Sequence, residues 1–82
     1  MVDEIKELLD EYLLSAVAFT LEGVEYVIVP EKRRTFWVYI RKDNTDYKIA
    51  EVNSVEEAMT KKIFNGRSIV ESEELISDVY TT

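Results

Sequence analysis

The sequence predicts an α+β fold in a single domain over residues 1–82: an N-terminal helix, a four-stranded antiparallel meander and two C-terminal helices. Three observations predict it. Apolar residues at helical spacing open the chain, strict apolar alternation broken by turn residues fills its middle, and helical spacing returns behind a capping motif at Ser54.

The opening stripe is Ile5, Leu8, Leu9, Tyr12 and Leu13, at i, i+3, i+4, i+7 and i+8, one face of a helix. Asp3 and Glu4 stand in its first turn, where negative charge complements the helix dipole. The period then changes to two. Val17, Phe19 and Leu21 alternate, Glu22-Gly23 makes a tight turn, and Val24, Tyr26 and Ile28 alternate until Pro30, which has no N–H to give to a ladder. Beyond the charged loop Glu31–Arg34, the residues Phe36, Val38 and Ile40 mark a third strand. A turn over Asp43-Asn44-Thr45 leads to a fourth, with Tyr47 and Ile49 on one face. Ser54 with Glu57 matches a capping box, and Val55, Ala58, Met59, Lys62 and Ile63 continue as a helix that Asn65-Gly66 stops. Ser68 with Glu71, or Ser72 with the acids after it, caps a last helix with Ile69, Ile76 and Tyr80 on its apolar face and Leu75 and Val79 nearby.

Setting Phe19, Leu21, Tyr26, Ile28, Phe36, Val38, Ile40, Tyr47 and Ile49 against the helices leaves Ala16, Ala18, Val27, Val29, Trp37, Tyr39, Ala50 and Val52 on the other side of the sheet. That side is apolar too, whereas an antiparallel sheet covered on one face normally turns polar residues outward. Two arrangements answer this. Either the helices divide between the two faces and Trp37 is core, or Trp37, Tyr39, Val27 and Val29 form a contact surface, with Arg34 and Arg41 as its basic rim.

Charge is sorted along the chain. Residues 1–31 hold eight carboxylates against one base, residues 32–50 hold six bases against two carboxylates, and residues 51–82 hold seven carboxylates against three bases, for a net charge of -7. The overall field repels phosphate and so disfavours nucleic acid and anionic membrane as partners. The basic centre Lys32, Arg33, Arg34, Phe36, Trp37, Tyr39, Arg41 and Lys42 interleaves bases with aromatics, the pattern of single-strand binders, which leaves that reading as a lesser alternative. Double-stranded RNA binding domains share the order helix, strands, helix, but their closing helix opens on lysines, where this one opens on Glu56 and Glu57.

With no histidine and no cysteine, the commonest general base, the thiolate nucleophile and soft-metal ligands are missing. Glu56-Glu57 and Glu73-Glu74 are helix neighbours that point to different faces, and Asp43, Asn44 and Asp46 lack the Gly and the bidentate Glu of a calcium loop. The expectation is a protein that is not an enzyme and uses no cofactor or metal. No apolar run approaches the roughly 20 residues of a membrane span, the acidic start is unlike a signal peptide, and the absence of Cys fits the cytoplasm.

In layout the chain is similar to small acidic proteins carried by bacteria and their phages or plasmids. Those proteins share a helix, a meander, a helix like Ser54 to Phe64, and a short Gly turn like Asn65-Gly66-Arg67-Ser68 before another helix. The resemblance implies a non-enzymatic protein-binding module, with an anti-CRISPR-like acidic mimic that inhibits a nucleic-acid-handling protein as one form of it. The residues expected to bind a partner are Arg34, Trp37, Tyr39 and Arg41 for an aromatic-basic contact, and Glu7, Asp10 and Glu11 on the first helix for an acidic one. The alternative is a structural homodimer joined through the Trp37/Tyr39 face.

Overall fold

Among the described residues five strands form where the sequence pattern predicts four. The computed structural model describes residues 1–11 and 15–81, with the backbone alone for Arg33. The elements are α1 (Val2–Glu11), β1 (Val17–Leu21), β2 (Val24–Pro30), a 3-10 turn at Lys32–Arg34, β3 (Phe36–Lys42), β4 (Thr45–Val52), α2 (Val55–Thr60), a 3-10 turn at Glu73–Leu75, and β5 (Ile76–Thr81). Tyr12 and Leu13 of the opening stripe lie outside the described residues.

All strand pairs are antiparallel, in the order β4-β3-β2-β1-β5. Two of the three meander connections turn on two residues of positive φ: Glu22 (52°) with Gly23 (79°), and Asp43 (52°) with Asn44 (63°). Turns of that hand match the twist of the flanking strands. The turn expected over three residues is therefore Asp43-Asn44 alone, with Lys42 facing Thr45.

The two predicted C-terminal helices are corrected most. The first, α2, is short. Ser54 Oγ accepts the Glu57 N–H at 2.9 Å and the Glu57 carboxylate accepts the Asn53 N–H at 2.6 Å, but the chain turns extended at Lys61 and the helix ends at Thr60, not at Asn65-Gly66. The second helix does not form. Ser68 N–H donates to Glu71 Oε1 at 2.7 Å, Ser72 Oγ donates to the Ser68 carbonyl at 2.6 Å, and Val70 N–H reaches the Met59 carbonyl at 3.0 Å. These local bonds compete with a helical ladder. Ile76, Val79, Tyr80 and Thr81 then suit an extended chain, and β5 pairs with the edge of β1 that would otherwise be unpaired, Leu21 opposite Ile76 and Ala18 opposite Tyr80. A bulge between those pairs holds Asp78 at φ 53°.

One core lies on one face of the sheet. Ile5 and Leu9 of α1, Val55, Ala58 and Met59 of α2, and Phe64 and Ile69 of the following loop all pack with Val17, Phe19, Leu21, Tyr26, Ile28, Phe36, Val38 and Val52. Phe64 is fully buried, with its ring 5.4 Å from Phe19 and 5.0 Å from Tyr26. The buried residues of both helices belong to this one cluster, so the arrangement that divides the helices between two faces is not formed. A register shift in β4, where Val38 faces Ala50 and Tyr39 faces Lys48, leaves Ile49 unmatched. It also reverses the expected sides of the residues after it: Val52 enters the core and Ala50 packs against it, while Tyr47, before the shift and still in register with Ile40, and Ile49 are exposed.

Candidate functional site

The other face of the sheet is read from the strand register. One row crosses all five strands as Tyr80, Ala18, Val27, Tyr39 and Lys48. On one side of it Val29, Trp37 and Glu51 stand in register, and on the other Ser77, Thr20, Glu25, Arg41 and Asp46. Ala18 and Val27 are buried, at 0% and 2% exposure, yet neither belongs to the core cluster. Val29, Trp37 and Tyr39 are half-buried and Tyr80 is exposed. One end of this face is thus apolar and aromatic, and the other polar.

The polar end is a connected network. Arg41 grips Asp46 with two hydrogen bonds, Nε at 2.7 Å and Nη2 at 3.1 Å, and its Nη1 stands 3.7 Å from Glu25 Oε1. The Tyr80 hydroxyl donates to Glu25 and lies 3.5 Å from Arg41 Nη1, so a residue of β5 reaches across β1 to β2. The hydrogen bond to Glu25 raises the Tyr80 phenol above its ordinary pKa. At the apolar end Lys48 pairs with Glu51 and sets its ammonium 3.8 Å from the Trp37 ring centroid. This geometry suits a cation–π contact.

Arg41 holds the Asp46 carboxylate below its usual range, first through their hydrogen bond and then through its charge. A carboxylate depressed in the folded state stabilises the fold above its unfolded pKa, about 4, and loses that contribution as pH falls through the folded value. Urea midpoints followed downward from neutral pH should fall more steeply for the wild type than for Asp46→Asn, by a small margin at this exposure. Parallel curves would show that the pair contributes nothing. Glu71 and Glu73 are depressed as well, by the Ser68 N–H and by the N-terminal ammonium respectively, and give the same sign in both proteins.

The seven residues expected to bind a partner do not assemble into one site. Trp37, Tyr39 and Arg41 share the face just described. Arg34 ends the 3-10 turn at φ 60° and donates from Nη2 to the Asp10 carbonyl at 3.1 Å, a cation at the last turn of α1 and not part of the rim. Glu7, Asp10 and Glu11 are exposed on α1 in the helical layer, and the Asp10 carboxylate accepts from Lys6 Nζ at 2.8 Å. Sequence reasoning missed Tyr80, Glu25, Asp46, Lys48 and Glu51. A two-residue turn at Asp43-Asn44 sets Arg41 opposite Asp46 by counting alone, so that pair had a signal; Tyr80 had none once its segment was read as helix.

The fold and this face define a two-layer α+β protein with its helices on one side of an antiparallel sheet. Compared with family models, curated proteins and solved structures, the chain has no significant match in any of the three. No described helix is long and apolar enough to cross a membrane.

Proposed function

We propose that this chain is a protein-binding module that acts through the open face of its sheet. The observation that carries the reading is that Val29, Trp37, Tyr39 and Tyr80 retain exposure on a face that contributes nothing to the core cluster. Aromatic residues and Arg in such a setting are the composition of interaction hot spots. The acidic side of α1 has less support, because the carboxylate of Asp10 is already engaged by Lys6 and Glu7 and Glu11 lie in the other layer. The layout resemblance ends in a helix where this chain ends in β5, so no inhibitory activity is carried over from it.

The test is whether the face is dispensable for folding. Trp37→Glu and Tyr39→Glu are expected to keep the wild-type circular dichroism spectrum and a cooperative thermal transition, while retention on a hydrophobic-interaction column falls. The wild-type Trp37 emission should be that of a partly hydrated indole. Unfolding of both variants, with blue-shifted wild-type emission, would make Trp37 a core residue and end the reading.

A further inference from the structure

Building on the reading of this face as a protein-binding surface, we infer that the protein it binds is a second copy of this chain, packed sheet to sheet about a two-fold axis.

Charge argues for this occupant. The face carries three carboxylates, Glu25, Asp46 and Glu51, against the two bases Arg41 and Lys48, a net of -1 on a chain whose net is -7. Both cations are already bound within the face, Arg41 to Asp46 and Glu25, and Lys48 to Glu51. A partner recognised by opposite charge would find little unbalanced charge here. A second copy needs its own surface to complement itself, because a two-fold interface brings the same patch from both sides. A nearly neutral face with internally paired charges meets that condition, whereas the acid excess elsewhere makes approach of two copies by other faces repulsive.

Geometry agrees. Two antiparallel sheets pack face to face about 10 Å apart with strand directions within about 30°, and the apolar end supplies the half-buried Val29, Trp37 and Tyr39 to such a layer. Rows of three, five and five side chains, with strands about 4.8 Å apart and rows about 6.8 Å apart, make a face of about 420 Å². Two such faces bury about 850 Å² together, in the size range of weak, transient interfaces. The dimer is therefore expected to be a weak one that forms with rising concentration.

Sedimentation velocity of the full chain from micromolar to millimolar concentration tests the inference. The weight-average mass is expected to rise from 9.6 kDa toward twice that value, and more readily at high salt, where the repulsion between two acidic chains is screened. Tyr39→Glu and Trp37→Glu should remain monomeric across the range and folded by circular dichroism, whereas Glu11→Gln should dimerise like the wild type. A wild type that stays monomeric at millimolar concentration, with both variants folded, would overturn the second copy while leaving the face to a different protein. Dimers that persist in both folded variants would also overturn it and place the contact elsewhere, for example along the β4 edge. Variants that unfold would instead end the reading of the face itself. Tyr39→Phe keeps the ring and should retain the dimer, and its loss would again overturn the inference.

Discussion

Phe64→Ala is expected to cost about 3–5 kcal/mol, a large part of the roughly 4–12 kcal/mol that a chain of this length holds at ordinary per-residue values. Phe64 is fully buried where the loop after α2 crosses the sheet, and its ring meets both Phe19 and Tyr26. Truncation removes the apolar area and leaves a cavity roofed by loop, since α2 has already ended at Thr60. Urea denaturation followed by circular dichroism measures the loss. Val70→Ala, in the same loop but 49% exposed, should shift stability by less than about 0.5 kcal/mol. Equal effects for the two would mean that Phe64 is not the residue that seats this loop on the sheet.

Ending the chain at Leu75 is the second large effect, and it separates a strand from a helix at the C-terminus. The shortened protein would lose the β5 ladder, the buried Ile76 and the packing of Val79, and would leave the edge of β1 unpaired. Because β1 is then an apolar edge strand, loss of the cooperative unfolding transition and aggregation are expected together. A sharp transition near the wild-type midpoint would show that β5 adds little. Hydrogen exchange on the intact chain gives a second readout: the amides of β5 that pair with β1 should exchange far more slowly than those of the 3-10 turn before it.

Much of the sheet was legible because its signals are local. Val17 to Leu21 and Val24 to Ile28 alternate, and Gly23 supplies the positive φ that a two-residue turn needs. The β1–β2 pairing and the start of α2 at Ser54 follow from those few residues. The far side of β4 was not legible, because a single unmatched residue at Ile49 reverses every side chain beyond it, and no composition signal marks a bulge there. The C-terminal segment misled for a different reason. Ile69, Ile76 and Tyr80 satisfy helical spacing as well as Ile76, Val79 and Thr81 satisfy an extended chain, and short apolar patterns do not decide between the two. Of the residues proposed to bind a partner, Trp37 and Tyr39 were assigned to the second face from its apolar excess, and they lie on that face. Arg34 was misplaced because the direction in which a charged loop folds is a tertiary property.

By itself the sequence determined the α+β class, though not the architecture within it, the opening helix, the first three strands, the capping of α2 and the presence of more apolar surface than one core side needs. All of these rest on periodicity or on side chains within a few residues of each other. Only the tertiary structure decided that the last segment is a strand, that the helices gather on one face, and that Trp37 and Tyr39 lie on the other. The unpaired edge of β1 captures a segment whose own preference is nearly balanced, and pairing across more than 50 residues, as between Ala18 and Tyr80, is an energy that no local window contains.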